Sequence, residues 1–286
     1  MQKQKTLQKS CSFSGVGVHS GFVANVQLRP APVNTGIVFV RSDIQNKDPI
    51  IPALWDHVVD TKLCTVIANS DDVRVSTIEH LMSAFYGLGI DNVIVEIDNE
   101  EMPIMDGSAK EFVALIEQTG IQEQEAHRKE IIIKKEISFV NEGRTTTLKP
   151  AKIPTYSFEL DYTGKNDRIG KQDYAVQMVN GNYVHEIADA RTFGLLEEVD
   201  YLKSIGLARG GSLDNAIVVD HDKILNPEGL RFDNEFVRHK ILDAMGDIYL
   251  AGARIIGEFT TVKGGHEMNN KVLHALFSDP DAWEYA

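Results

Sequence analysis

Apolar and polar positions alternate along short segments in both halves of the chain. In the first half they alternate over FVANVQLRP (22–30) and TGIVFVRSD (35–43), and in the second half a β-branched run occupies AIVVD (216–220). A period of two residues is typical of strands with one buried face. The pattern therefore predicts short strands in both halves.

A helical segment followed by a β-branched run occurs once in each half. STIEHLMSAFYGLG (76–89) predicts a helix with Ser76 as its N-cap, and GIDNVIVEID (89–98) predicts the next strand. DNEFVRHKILDAMGDIYLAG (233–252) and ARIIGEFTTV (253–262) repeat this order. The repetition predicts a duplicated α+β unit, each copy a sheet with helices on one face.

A polar stretch at 118–130, QTGIQEQEAHRKE, lies between the two copies. It follows a helix-like segment at 108–118 and precedes an apolar run at 131–133. We therefore predict one domain over residues 1–125 and a second over residues 126–286.

Composition limits the classes of protein that this chain can be. Its 42 acidic and 29 basic residues give a net charge of −13, which disfavours a nucleic-acid partner because that needs clustered cations. No apolar stretch approaches the roughly 20 residues of a membrane helix, and the N-terminal residues lack the apolar run of a secretory signal. Because Cys11 and Cys64 are the only cysteines, we expect a cytoplasmic protein. We also expect a monomer.

The helical segment at 236–247, FVRHKILDAMGD, contains a candidate metal site. His239 and Asp243 lie one helical turn apart and Asp247 one turn further, so all three share a side of the helix. An imidazole and a carboxylate at this spacing can reach one divalent cation. A solvated polar stripe explains the same spacing, and the spacing alone favours that alternative.

Glu79 and His80 in the first predicted helix add to this site. His80 could be a third ligand, and two histidines with one aspartate leave a fourth position open, as in catalytic zinc sites. Two structural alternatives remain: Glu79 could form a capping box with Ser76, and His80 could pack on the edge of the core. The single-helix HEXXH pattern of common metalloproteases is absent.

A glycine-rich turn, VKGGH (262–266), could carry His266 into a cleft, because glycine lets the backbone bend sharply. An ordinary surface-loop histidine is the alternative. Asp247 could orient and charge this imidazole if the loop folds back on the helix.

Several separated strings resemble one known family, in order along nearly the whole chain. They are GVGVHSG (15–21), STIEHLMSA (76–84), MDGSA (105–109), ARTFG (190–194), GLRFDNEFVRHKILDAMGD (229–247), GGH (264–266) and AWEY (282–285). Together they resemble the UDP-3-O-acyl-N-acetylglucosamine deacetylases of lipid A biosynthesis. The long RFDNEFVRHK string combined with TIEH is highly specific.

The resemblance implies an α+β fold of two similar domains, each a sheet packed against two helices, with the active site between the helical layers. It also implies a Zn²⁺ ion bound by His80, His239 and Asp243. The reaction would remove the N-acetyl group of the acylated UDP-sugar UDP-3-O-(3-hydroxyacyl)-N-acetylglucosamine and give acetate and the free amine.

Catalytic roles follow from the same resemblance. Glu79 matches the general base, His266 the general acid and Asp247 the carboxylate that supports His266. Thr192 in ARTFG matches the residue that helps to hold the developing oxyanion. Lys240 matches a substrate-contacting lysine.

The segment at 193–212 resembles the insert that forms the family's acyl-chain passage. An amphipathic helix with a buried face is the alternative. We expect Phe193 to contact substrate and Phe158 to stack on the uracil. Two other functions remain open: a metal-dependent amidohydrolase acting on a small acylated amine, and a non-catalytic RNA-binding module, which the net charge disfavours.

Overall fold

A computed structural model describes residues 2–179 and 181–286. The helices are α1 (Glu79–Leu88), α2 (Lys110–Thr119), α3 (Leu196–Ser204), α4 (Glu235–Tyr249) and α5 (His266–Phe277), with a 3-10 turn at Trp55–His57 and a π-helical turn at Tyr183–Ile187. Among the described residues, every helix is too short or too polar to cross a membrane.

The strands are short and lie mostly in hairpins. In chain order they are β1 (Lys3–Leu7), β2 (Cys11–Val16), β3 (Val23–Pro30), β4 (Ile37–Arg41), β5 (Ile50–Pro52), β6 (Val58–Asp60), β7 (Val66–Ala68), β8 (Arg74–Val75), β9 (Val93–Ile97), β10 (Ile121–His127), β11 (Glu130–Ile133), β12 (Ile137–Asn141), β13 (Arg144–Lys149), β14 (Thr155–Asp161), β15 (Lys171–Gln177), β16 (Phe193–Leu195), β17 (Ile217–Asp220), β18 (Lys223–Ile224), β19 (Arg254–Ile256), β20 (Glu258–Val262) and β21 (Trp283–Tyr285).

Two five-stranded sheets have the same topology, which confirms the duplication predicted from the sequence. The first has the order β2-β3-β9-β4-β5 and the second β12-β13-β20-β14-β15. In the first sheet β4 runs parallel to β9, and in the second β14 runs parallel to β20, while the other neighbours are antiparallel. One helix precedes the central strand and another follows it in each copy. The chain is thus a pair of α+β units.

The alternating pattern forms strands with one buried face, as predicted. Along β3, Ala24, Val26 and Leu28 are buried while the residues between them are exposed. α1 differs, because all its residues from Glu79 to Tyr86 are buried. A helix buried all round must pack on several sides, and α1 packs against α2 and α4. The two helical layers therefore face each other.

The polar stretch at 118–130 contains a strand rather than a linker. β10 within it pairs with β1, whereas β11 pairs with β19 and β21 near the other end of the chain. β10 crosses the division that the sequence predicts between residues 125 and 126. We propose that the first unit ends after His127, since the pairing partners change there.

The capping box predicted from Ser76 and Glu79 is wrong. The Ser76 hydroxyl donates a hydrogen bond to the carbonyl oxygen of Glu100, and α1 begins only at Glu79, after Ile78. Pairing of Ser76 with the Glu100–Glu101 segment holds it in extended backbone, outside the capping position. The Glu79 carboxylate points into the interior instead.

α1 and α4 approach each other closely at Gly246. A β-carbon built on Gly246 would lie 2.0 Å from the carbonyl oxygen of Glu79, so only glycine fits. This contact places the start of α1 directly against the C-terminal half of α4, within one turn of the candidate metal ligand Asp243.

We expect Gly246→Ala to destabilise the protein. Helix propensity alone would favour alanine by about 1 kcal/mol, but the collision with rigid backbone costs roughly 1–3 kcal/mol as overpacking. Thermal unfolding should show a melting temperature lower by a few degrees. A raised melting temperature would mean that the two helices do not touch here.

Candidate active site

α1 and α4 bring the three predicted metal ligands together. The Nε2 atom of His80 lies 3.5 Å from Oδ1 of Asp243, and the Nε2 atom of His239 lies 3.3 Å from the same oxygen. The two imidazole rings are 5.0 Å apart and nearly perpendicular. All three side chains are buried. The alternative of a solvated polar stripe is therefore wrong.

This donor set fits a divalent cation. One ligand atom from each of the three residues lies within 4.8 Å of the others. Among the described residues, Asp243 Oδ1 is buried without a hydrogen-bond partner, which is costly unless a cation binds it. Burial lowers the pKa of His239 to about 3, and its Nδ1 donates to the Ala190 carbonyl oxygen at 3.0 Å. The neutral ring thus directs its Nε2 lone pair towards the space beside Asp243 Oδ1, where one cation could accept both atoms as ligands.

The ammonium group of Lys240 compensates the negative charge of Asp243 at Oδ2, the oxygen that is not the candidate metal ligand. Its Nζ donates to Asp243 Oδ2 at 2.8 Å and lies 5.8 Å from the centre of the Phe193 ring. Burial alone would raise the pKa of Asp243, but the positive charge of Lys240 opposes this effect, and the pKa is held well below its usual range. Asp243 is therefore an anion with one oxygen free for a metal.

Glu79 and His266, predicted as base and acid, face each other beside the metal cluster. Glu79 Oε1 lies 3.8 Å from His266 Nε2, and His266 Nδ1 donates to Asp247 Oδ2 at 2.8 Å. Burial raises the pKa of Glu79, although His266 and His80 oppose the shift. Burial lowers the pKa of His266, but Asp247 outweighs it and raises the pKa to about 9. The imidazole is therefore protonated at neutral pH.

His266 lies at the first position of α5 rather than in a loose surface loop. Its side chain is mostly buried, and Asp247 comes from the preceding helix α4 as the sequence predicts. The interpretation as an ordinary surface histidine is wrong.

Thr192 is fixed by the backbone on both sides. Its N–H donates to the Gly107 carbonyl oxygen at 2.8 Å, and its own carbonyl oxygen accepts from Ile217 at 2.8 Å. Thr192 lines the same cavity as Glu79 and His80. The ARTFG and MDGSA strings, quoted as separate motifs, therefore meet at this edge of the site.

A cavity of about 470 Å³ extends from Glu79, His80 and Thr192 towards the insert at 193–212. Phe193 lines it, and further apolar lining residues are Leu196, Val199, Leu202, Ala208 and Leu213. Every residue of α3 keeps part of its surface exposed. The interpretation of the insert as a helix with a buried face is wrong, since its apolar side lines a cavity.

Phe158 does not belong to the site. Its side chain is 2% exposed and lies in the hydrophobic core, on the inner face of β14. The expectation that it stacks on the uracil is wrong, because a ring enclosed by core residues has no face open to a ligand.

Four contributors to the site were missed from the sequence. The Thr65 hydroxyl donates to Asp247, and the Ala190 carbonyl orients His239. The buried pair Arg191–Glu235 anchors the segment from Ala190 to Thr192, since Arg191 donates to the carboxylate through N–H and Nε. Ala190 and Arg191 lie in the ARTFG string and Glu235 in the long string at 229–247, but these strings do not reveal the contacts, because the partners are distant in sequence.

His19 is a fifth missed residue, although the GVGVHSG string contains it. It lines the cavity. The Glu101 carboxylate accepts from the backbone N–H groups of His19 and Ser20, both at 2.8 Å, and so fixes their loop. The string itself was the only signal for this residue.

Comparison with known proteins shows the family to which the chain belongs. A sequence model described as LpxC, UDP-3-O-acyl N-acetylglycosamine deacetylase, matches residues 4–278. Proteins named UDP-3-O-acyl-N-acetylglucosamine deacetylase from Shewanella sp. (strain ANA-3) and Shewanella oneidensis are each 45% identical over 281 residues, which cover 98% of this chain and 92% of each relative. The corresponding protein of Shewanella baltica (strain OS155) is 44% identical over the same coverage. The chain therefore belongs to the UDP-3-O-acyl-N-acetylglucosamine deacetylase family.

Proposed function

We propose that this chain hydrolyses the acetamide of UDP-3-O-(3-hydroxyacyl)-N-acetylglucosamine, which yields acetate and the free amine in lipid A biosynthesis. The observation that carries the proposal is the junction of three parts at one place. The metal-ligand cluster, the Glu79–His266 pair and the end of an apolar cavity meet between α1 and α4. Amide hydrolysis of an acylated substrate needs all three.

The proposed metal is zinc, held by His80, His239 and Asp243. Two imidazoles and one carboxylate are a donor set typical of catalytic zinc. When bound, the ion would polarise the acetyl carbonyl and lower the pKa of a neighbouring water. Lys240 keeps Asp243 anionic and so maintains the charge that attracts the cation.

Glu79 would accept the proton of the attacking water. Its burial raises its pKa, which makes it a stronger base than an exposed carboxylate. The backbone N–H of Thr65 donates to its second oxygen at 3.1 Å and fixes its orientation. The hydroxyl of Thr192 would donate a hydrogen bond to the oxyanion, with little reorganisation because its backbone is held on both sides.

His266 would protonate the leaving amine. A group that acts as an acid must carry its proton at the working pH, and Asp247 ensures this. His266 Nε2 and Glu79 Oε1 are 3.8 Å apart, so the proton donor and the proton acceptor would lie beside the same reacting group.

The apolar cavity favours a long acyl chain over the alternative of a small acylated amine. Its lining from the insert would remove methylene groups from water, whereas a small amine would leave these apolar walls unused. Lys240 and Phe193, at the junction of cavity and metal cluster, are the proposed contacts to the sugar end. The monomeric state and the cytoplasmic location remain predictions.

We expect about one zinc ion per chain in the purified protein and a sharp loss in His239→Ala, because that variant removes one of three protein ligands. Elemental analysis after dialysis measures it. His221→Ala is the matched control, since the side chain of His221 is 92% exposed and has no proposed role in the site. Full zinc content in His239→Ala would contradict the assignment.

We expect kcat to fall as the pH rises through about 9, because His266 then loses the proton it must donate. The raised pKa puts the loss on the alkaline side. Asp247→Asn removes the negative charge that favours imidazolium, so the alkaline limb should move to lower pH. A pH–rate profile measures both. An alkaline limb that is the same in Asp247→Asn would assign it to another group.

We expect the acyl chain to supply much of the binding energy. Burial contributes roughly 0.8 kcal/mol per methylene, which is about fourfold in affinity for each one. The kcat/KM of the substrate without its acyl chain should therefore be lower by at least about 100-fold. Equal values for both substrates would mean that the cavity does not receive the chain and would favour the alternative amidohydrolase.

A further inference from the structure

Thr65 lies where three helices meet, just before β7. It is 1% exposed. Its hydroxyl donates to Asp247 Oδ1 of α4 at 2.5 Å, and its oxygen lies 3.3 Å from His266 Nδ1 of α5. Its backbone N–H donates to Glu79 Oε2 of α1 at 3.1 Å. One residue therefore touches all three side chains of the proposed acid–base system.

The Asp247 carboxylate depends on Thr65 for one of its two oxygens. His266 Nδ1 and Asn269 Nδ2 both donate to Oδ2, at 2.8 and 2.9 Å. Within the described part of the chain, Thr65 is the one hydrogen-bond donor to Oδ1. Asp247 is 1% exposed, so this bond lies in a region of low dielectric, where it is strong.

We propose that Thr65 is a positioning residue that joins the base and the acid in one hydrogen-bonded unit. Its N–H fixes the Glu79 carboxylate, and its hydroxyl fixes and charge-stabilises Asp247, which in turn holds His266. The roles of Glu79 as base and His266 as acid rest on the proposed function, whereas their contacts with Thr65 do not.

The hydroxyl has a defined effect on the proton of His266. When His266 is protonated, Asp247 is stabilised by the imidazolium as well as by Thr65. When His266 is neutral, the carboxylate depends more on Thr65. Loss of the hydroxyl therefore destabilises the deprotonated state more, and His266 holds its proton more tightly.

The charged groups that face His266 stay in place when the hydroxyl is removed. They are Asp247 and Asp243 on α4 and Glu79 on α1. All three carboxylates favour the imidazolium, so none of them opposes the expected shift to higher pH. A His266 that is harder to deprotonate is also a weaker acid towards the leaving amine, which slows its proton transfer.

The test compares Thr65→Val with Thr65→Ser in the zinc-loaded full chain. Valine keeps the shape and the backbone N–H but removes the hydroxyl, and serine keeps the hydroxyl. Thr6→Val is the matched control, because Thr6 is a buried threonine whose hydroxyl donates to the Asn92 carbonyl oxygen and accepts from the Ala31 N–H, and neither partner belongs to the site. Thr65→Ala removes the same hydroxyl with less steric demand, so a folding failure of one variant leaves the other.

Two readouts separate positioning from a merely structural role. The first is the NMR titration of the His266 ring, whose signal is identified by its disappearance in His266→Gln, and it needs no substrate. The second is the pH dependence of kcat and KM. We expect Thr65→Val and Thr65→Ala to move the His266 midpoint and the alkaline limb to higher pH. We also expect kcat to fall about tenfold, the worth of one hydrogen bond to a charged group, with KM unchanged.

Thr65→Ser should restore the wild-type midpoint, and Thr6→Val should leave both profiles in place even if it lowers the melting temperature. A midpoint and a kcat that stay at wild-type values in Thr65→Val and Thr65→Ala would overturn the proposal. A shifted midpoint in a protein that does not deacetylate the substrate would support the role of Thr65 and refute the proposed function instead.

Discussion

The close contact between α1 and α4 is the constraint on which the rest of the site depends. Glu79 and His80 lie on one helix, and His239, Asp243 and Asp247 lie on the other. The absence of a side chain at Gly246 lets the backbone of Glu79 rest directly on α4. A wider separation would pull His80 away from Asp243, since their atoms are 3.5 Å apart in this packing. The duplication supplies one such helix from each copy, so the site forms only where the two copies meet.

The buried charges of the site are compensated in pairs. Asp243 is neutralised by Lys240 on one oxygen and keeps the other for a cation. Asp247 is neutralised by the protonated His266 and receives further donors from Thr65 and Asn269. Buried ions are costly without such partners. The arrangement lets several carboxylates remain charged in a dry interior, which a hydrolytic site of this kind requires.

The two copies differ in what lies between β15 and α4. The second copy has an insertion there that contains the π-helical turn, β16 to β18 and α3. It lines the cavity with apolar side chains and carries Thr192. The buried pair Arg191–Glu235 ties this insertion to the start of α4, one helical turn before the proposed metal ligand His239. The duplicated frame thus provides the proposed metal ligands, and the insertion provides much of the apolar lining of the cavity.

The sequence by itself determined the features that depend on local spacing. The alternation at 22–30 became β3 with one buried face, and both predicted helices exist. His239, Asp243 and Asp247 share one side of α4 because a helix repeats every 3.6 residues, whatever packs against it. The residues alone also made His80 and His266 candidates with open alternatives, and the resemblance to a family connected these two residues with those of α4.

Only the tertiary structure decided the features that depend on contacts between distant residues. Ser76 does not cap α1, because it pairs with the Glu100–Glu101 segment. Phe158 lies in the core, because the inner face of β14 packs against α4. The polar residues at 121–127 became a strand because β1 offered a free edge. Thr65 contacts Glu79, Asp247 and His266 because α1, α4 and α5 come together around it in the folded chain. Each outcome depends on which groups meet in space, and a hydrogen bond or a buried face has no signal in the sequence until its partner is known.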